Sequence, residues 1–246
     1  MTASRALRIA LAIGAAAFGA PALAGVLEVT PILTDVVTEG SAATSITIRN
    51  RAATAATVQL RLLHWHLEGG QDVLDPTSVA AVSPPFIAIQ PGAVHVVRIV
   101  RTSSQAIAGE EAYRLLLDEL PAPGGGDVAV SLAVRHALPV FFRSTTARPA
   151  SVRWAITATG PNGTRELVAI NAGDRRLRIA RLHVEDKAGH TLEFGEGLAG
   201  YALGRSERRW RLPVNPAFDL AHATVRFVSE AGPETAEAPL LDRARP

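Results

Sequence analysis

The sequence predicts an all-β protein of antiparallel sandwich type, built as two domains within 246 residues. Three observations carry this prediction. Short runs in which apolar and polar residues alternate recur along the chain, the period-two pattern of a strand with one buried face. Turn formers separate the runs, among them Asn50-Arg51-Ala52, Gly69-Gly70-Gln71-Asp72, Gln90-Pro91-Gly92 and Pro161-Asn162-Gly163. No stretch carries a convincing amphipathic-helix pattern, residues 216–223 being the least firmly excluded.

In chain order, Arg5 and Arg8 precede an apolar run over residues 9–18, which ends in Ala22-Leu23-Ala24. This charged, apolar, small-residue order predicts a secretory signal peptide over residues 1–24, removed to leave Gly25 first. A membrane span needs about 20 uninterrupted apolar residues, and Gly14, Gly19 and Pro21 break the run. Residues 26–37 read as one extended segment around Pro31, and residues 43–49 place Ile46 and Ile48 on one face. In residues 57–67, Val58, Leu60 and Leu62 share a face until Leu63 and Trp65 take over, a phase change expected of a bulge or twist. Residues 86–89, 94–101 and 111–120 are further strands, followed by the loop Pro121-Ala122-Pro123-Gly124-Gly125-Gly126.

The longest strand is predicted over residues 128–142. Val128, Val130, Leu132, Val134, His136, Leu138, Val140 and Phe142 share one face, opposite Ala129, Ser131, Ala133, Arg135 and Ala137. Strands usually run to about 5–6 residues, and a long apolar strand at a sheet edge invites aggregation unless a partner covers it. The pattern lapses over residues 143–150, which divides the chain into domains at 25–145 and 146–246. In the second half Val152, Trp154 and Ile156 alternate, and residues 166–170 return. Leu177 and Ile179 lie opposite in phase to Leu182 and Val184, predicting a bulge at Ala180-Arg181. Strands at residues 192–194, 210–212 and 225–228 follow, with a last one within 236–241.

Lys and Arg number 25 against 23 Asp and Glu, a net charge of +2, and Lys187 is the single lysine. That balance predicts no nucleic-acid surface. With no cysteine the chain has neither disulfides nor thiol chemistry. It lacks a G-x-S-x-G elbow, an H-E-x-x-H pair and a phosphate-binding glycine loop, and is read as non-enzymatic, with no cofactor. His64 and His66 flank Trp65 at a spacing that can chelate metal. Two histidines are half a site and no other ligand pair stands at useful spacing, so they are read as solvent-face residues and no metal is assigned. Glu110-Glu111 and Asp118-Glu119 are read as surface or paired acids.

Four stretches in order resemble the PapD-like periplasmic chaperones of chaperone–usher pilus assembly. They are Trp65 with Asp75-Pro76-Thr77; Ser83-Pro84-Pro85-Phe86 with Ile89-Gln90-Pro91-Gly92 and Val97-Arg98-Ile99; Glu110-Glu111-Ala112-Tyr113-Arg114-Leu115 running to Glu119-Leu120-Pro121; and Leu138-Pro139-Val140-Phe141-Phe142. The second half is similar in outline only, through Asn171-Ala172-Gly173. The resemblance implies two immunoglobulin-like β-sandwich domains set at an angle. It implies a chaperone that lends its long edge strand to pilus subunits lacking one, and delivers them to an outer-membrane usher without itself inserting into a membrane. The donor positions implied are Val128, Val130, Leu132 and Val134, with the loop over residues 121–127 letting the strand leave its own sheet.

Two positions depart from the best-known branch of the family, which holds the subunit's terminal carboxylate with an arginine on the first strand and a lysine on the donor strand. Asp35 and Pro139 fall there. The Leu-Pro-Val-Phe-Phe form is similar to the archaic branch that serves spore-coat-U-like subunits, and the anchor is assigned to Arg98, with Arg114 second, as guanidinium forks beside the donor strand. An interdomain charge link is implied from Arg143, Glu110 or Glu111, and an acid of the second domain, aligned on Asp219. The alternative reading is a two-domain secreted pilus or cell-surface subunit, which should carry an N-terminal donor extension before its first strand.

Overall fold

The structure, a computed structural model, describes residues 27–121, 134–159 and 164–241. The signal-peptide assignment and the donor positions Val128, Val130 and Leu132 lie outside the described residues; Val134 lies within them. Among the described residues no helix is long and apolar enough to cross a membrane.

The first half contributes β1 (Leu27–Thr30), β2 (Thr34–Val37), β3 (Ala42–Asn50), β4 (Ala56–Glu68), β5 (Gln71–Pro76), β6 (Ala80–Ser83), β7 (Phe86–Ile89), β8 (Val94–Arg101), β9 (Glu110–Leu120) and β10 (Arg135–Arg143). One sheet has the order β1-β3-β8-β6, and the other the order β2-β10-β9-β4-β5 with β7 also on β4. Alternation along the strands turns one face of each sheet inward. Ile46 and Ile48 of β3 and Val97 and Ile99 of β8 meet Val58, Leu60 and Leu62 of β4, Leu115 and Leu117 of β9, and Val140 and Phe142 of β10 in one core. Each such aliphatic side chain contributes ~1.5–3 kcal/mol by leaving water. The segment read as one extended piece is two strands in different sheets: β1 pairs with β3, and after Pro31 β2 crosses to β10.

The phase change in β4 has a different cause from the bulge expected. Its register with β9 runs unbroken from Thr57↔Leu120 to His64↔Tyr113. The apolar face switches because the far half of β4 is covered from the other side: Trp65, 1% exposed, packs with Ala112, Phe141, Tyr201 and Leu203, the last two from the second half of the chain.

The second half contributes β11 (Val152–Thr159), β12 (Thr164–Asn171), β13 (Leu177–Glu185), β14 (Thr191–Glu193), β15 (Leu198–Ala202), β16 (Ser206–Arg211), β17 (Ala223–Val228), β18 (Pro233–Ala238) and β19 (Leu240–Leu241). Its sheets run β16-β12-β11-β19 and β14-β13-β17-β18, with β15 also on β13. Trp154, Ile156, Leu167, Ile179, Leu182, Val184, Val225 and Phe227 form its core. The irregularity expected in β13 is present: pairing shifts on either side of Ala180, and Arg181 takes φ 48°. In place of a helix, residues 216–222 hold a 3-10 turn, Leu220–His222, capped by Asp219, and β17 begins at Ala223.

The connection between the sandwiches is fixed by backbone packing. Asn171 Oδ1 accepts from the Ser151 and Gly173 amides at 3.1 and 3.0 Å. A Cβ at Gly173 would lie 2.1 Å from the Pro149 carbonyl oxygen, so only glycine fits where β12 turns back against the connecting segment.

Candidate subunit-binding surface

The surface is organised by β10. Along residues 135–143 it pairs with β9, and the Glu119 amide donates to the Val134 carbonyl at 3.1 Å to extend that ladder by one rung. On its other side β2 runs parallel beside residues 140–143 alone. Over residues 135–138 that side of β10 has no partner among the described residues. In an antiparallel pair, backbone groups alternate between the partner strand and the opposite edge. The Val134 carbonyl points to β9, whereas the Arg143 carbonyl accepts from the Thr38 amide at 2.9 Å on the β2 side. Arg135 and Ala137 therefore direct both N–H and C=O to the open edge. Pro139 sits in the same phase, where its missing N–H removes no bond to β9.

Side-chain phase follows the backbone. Val134 shares the inner face with His136, Leu138, Val140 and Phe142; Val134 and Leu138 are half-buried, and Leu138 packs on the first core. On the outer face Arg135 and Ala137 are exposed. Asp118 of β9 holds Arg135 and also receives Arg61 Nη2 at 2.7 Å.

Arg114 is the Cα partner of Pro139 across the β9–β10 ladder. Its guanidinium carbon stands 3.6 Å from the Trp65 ring centroid and 5.7 Å from that of Tyr201. Burial pushes its pKa down, against the opposing pull of Asp72 and Tyr201. Asp72 is itself engaged by Arg208 Nη1 and Trp65 Nε1, both at 2.8 Å. Among the described residues Arg114 thus makes aromatic contacts and no ion pair. Arg98 occupies a different place from the one expected. It lies on β8, in the sheet that does not contain β10, and projects to solvent beside Ala43, Thr44, Ser45 and Val96 while its neighbours Val97 and Ile99 enter the core. The alternation that buries those neighbours forces Arg98 outward.

Arg143 and Glu110 are also Cα partners across β10 and β9. Arg143 Nε donates to Asp35 Oδ1 at 2.9 Å, and Arg176 Nη2 donates to Asp35 Oδ2 at 3.0 Å. Arg176 Nη1 and its backbone amide donate to the two oxygens of Glu110 at 2.6 and 2.8 Å. The Arg176 guanidinium carbon also lies 3.7 Å from the Phe141 ring centroid. Burial pushes the Glu110 carboxyl up, with the Arg176 charge opposing. The second sandwich therefore contributes a cation to this chain of charges, and the acid between the two arginines is Asp35 of the first. Asp219 stands elsewhere, accepting from the Ala221 amide in the 3-10 turn.

Glu111 points to the opposite face of β9 from Glu110. Arg101, 1% exposed, donates to both its oxygens at 2.8 Å, and the Tyr113 hydroxyl donates at 3.0 Å. Burial raises the Glu111 pKa, but those hydrogen bonds outweigh it and the net shift is downward. Adjacent acids thus serve different faces, as strand alternation requires. Sequence reasoning misses Asp35 and Arg176 as members of the link. The one available signal is at Asp35, an acid where the resemblance leads one to expect an arginine.

Residues 29–148 match the family of pili and flagellar-assembly chaperones, PapD N-terminal domain. The first sandwich belongs to this family. The chain resembles solved structures over both sandwiches. It is 22% identical, with a TM-score of 0.66, to a chain of the CsuC–CsuE chaperone–tip adhesion subunit pre-assembly complex from the archaic chaperone–usher Csu pili of Acinetobacter baumannii, covering 88% of this chain and 99% of that one. It is 17% identical to the E. coli chaperone DraB, with a TM-score of 0.58 over 88% and 97% of the two chains. A chain of the Salmonella enterica SafA pilin–SafB chaperone complex gives 14% and 0.60 over 86% and 96%. No curated protein sequence matches. The first sandwich thus carries the family of pilus-assembly chaperones, and over both sandwiches the chain has the fold of those chaperones.

Proposed function

We propose that the protein is a periplasmic, non-enzymatic chaperone that captures pilus subunits by donor-strand complementation and passes them to an outer-membrane usher. The open edge of β10 over residues 135–138 carries this reading. A sheet edge with unpaired N–H and C=O groups is a template for a strand from another chain. Residues 128–134 continue that edge in sequence, and Val128, Val130, Leu132 and Val134 are the side chains that fill the subunit groove. The similar CsuC–CsuE structure is a pre-assembly complex of a chaperone with a tip adhesion subunit, which supports the same use here. Arg114 is the anchor for the subunit's terminal carboxylate: it is the cation opposite the open edge, it is walled by aromatic rings, and among the described residues it has no acid of its own. Residues 1–24 direct export.

The test is capture of a co-expressed pilus subunit from the same operon. Leu132→Asp abolishes capture, because a carboxylate cannot enter an apolar groove unpaired, and leaves the melting temperature of the free chaperone within a few degrees. Ala133→Asp, on the opposite face, retains capture. Unfolding of the free protein by Leu132→Asp shows that residue in a core and overturns the donor-strand reading. Amino-terminal sequencing of the periplasmic fraction gives Gly25; an intact Met1 refutes export by cleavage.

A further inference from the structure

The β4–β5 hairpin brings a third potential ligand to the two histidines that the sequence pairs. His64 and His66 alternate with Trp65 and share one face of β4, and Asp75 of β5 is the Cα partner of His64. The two imidazoles are stacked, with ring centroids 5.5 Å apart and planes 19° from parallel. One ligand atom from each of His64, His66 and Asp75 lies within 4.8 Å of the other two. His66 Nδ1 is shielded from solvent and has no hydrogen-bond partner, and Asp75 Oδ2 stands 3.5 Å from it, beyond hydrogen-bond length. A ring nitrogen and a carboxylate oxygen thus face each other with no hydrogen bond made between them.

We infer that His64, His66 and Asp75 bind one divalent transition-metal ion of the zinc class, with water completing a tetrahedron. Two imidazoles and a carboxylate are a donor set suited to zinc. Calcium and magnesium instead require shells of oxygen ligands. With metal–ligand bonds of about 2.0–2.1 Å, tetrahedral ligands lie roughly 3.3 Å apart. Closing from 4.8 Å is a change of at most about 1.5 Å, within reach of side-chain rotation. Asp75 is free to move, its side chain being 56% exposed. Glu111 is not a competing ligand, because Arg101 occupies both its oxygens. Tyr113 backs the site, its ring edge-on to His64 at 5.9 Å. Bound metal cross-links β4 to β5 at the hairpin whose Gly70 and Gln71 bond the backbone of Arg209 in the second sandwich.

The experiment is calorimetric titration of the untagged mature protein with Zn2+, with Ca2+ as comparison. One Zn2+ binds per chain and Ca2+ does not. His66→Ala and Asp75→Asn each lower the Zn2+ affinity at least about tenfold, and His222→Ala leaves it unchanged. In NMR spectra the imidazole resonances of His64 and His66 shift and those of His183 and His190 do not. Asp75→Asn, at an exposed strand position, decides the matter should His66→Ala lose its fold. Absence of 1:1 binding, equal binding of Ca2+, or Zn2+ binding that survives Asp75→Asn overturns the inference. Subunit capture by Asp75→Asn is unaffected, which separates this site from the proposed chaperone function.

Discussion

Replacing Arg176 by alanine gives the sharpest test of how the two sandwiches are held. The Arg176 side chain is 7% exposed and that of Glu110 2%. Arg176→Ala leaves Glu110 buried without its guanidinium partner, while Asp35 retains Arg143. Breaking a buried pair from one side costs about 3–5 kcal/mol, because the remaining charge is uncompensated. The lost stack on Phe141 falls within that figure rather than adding to it, since the interactions share one side chain. Glu110 escapes part of the penalty by protonating. Its folded pKa, already raised by burial, rises further without Arg176, so the destabilisation is full above that pKa and shrinks as pH falls toward the ordinary glutamate value of 4.5. The assay is urea unfolding followed by tryptophan fluorescence, with Trp65 reporting the first sandwich and Trp154 and Trp210 the second. The gap between Arg176→Ala and the parent protein is then larger at pH 8 than at pH 5. The double variant Glu110→Leu with Arg176→Met, which removes both charges, returns to within about 1 kcal/mol of the parent or exceeds it. A cost below about 1 kcal/mol for Arg176→Ala, or a double variant as unstable as the single one, refutes the role assigned to this pair.

Two further outcomes follow from the same geometry. Arg114→Ala weakens subunit binding by about 2–5 kcal/mol, roughly 30-fold to several thousand-fold by interferometry, and costs the free protein only ~1 kcal/mol for the Trp65 stack; Arg98→Ala leaves binding intact, and the reverse ranking refutes the anchor. In acid, Asp174 and Asp186 dominate the second sandwich. Hydrogen bonds from the Arg148 side chain and amide, and from Arg205, hold Asp174 well below the ordinary 3.8, and backbone and His190 hydrogen bonds overcome burial to do the same for Asp186. Both folded pKa values lie below the unfolded one, so their stabilisation is complete above about pH 4 and is lost as pH falls further. Melting temperature is therefore flat from pH 7 to 5 and drops below 4, with a shallower drop in Asp174→Asn; a decline already under way at pH 6 contradicts this.

Strands with one buried face are legible in the sequence because alternation is the imprint of a half-covered sheet. Residues 94–101 and 152–156 show it plainly. β5 is not legible because it is exposed on nearly every residue, so nothing imposes a period on Gln71–Pro76. β15 is hidden because Leu198–Ala202 is mostly small and irregularly buried. In β4 the phase change is visible in the sequence, but its cause is not. A strand covered on one face by its own core and on the other by Tyr201 and Leu203 changes phase without any backbone irregularity. Local sequence carries no information about which neighbour does the covering, and the same limit hides the ion-pair chain. Asp35 and Arg176 stand 141 residues apart, and only the packing of the two halves puts them in contact.

On the proposed donor-strand reading, the open edge of β10 must avoid pairing with copies of itself. Natural edges are blunted by charge and by proline, and both devices stand here: Arg135 at the start of β10, held by Asp118, and Pro139 in the phase whose N–H would face outward. Between them the edge offers the amides and carbonyls of Arg135 and Ala137, after which the parallel rungs with β2 begin at the Val140–Thr34 pair. Such a ladder is shorter than the usual strand of about 5–6 residues paired throughout, and it is closed at its C-terminal end. On that reading an incoming strand gains further rungs toward residues 128–134, where Val128, Val130, Leu132 and Val134 alternate in the sequence. The charge and the proline limit what residues 135–138 hold by themselves, so on the proposed reading stable pairing comes from a subunit groove that takes those four side chains.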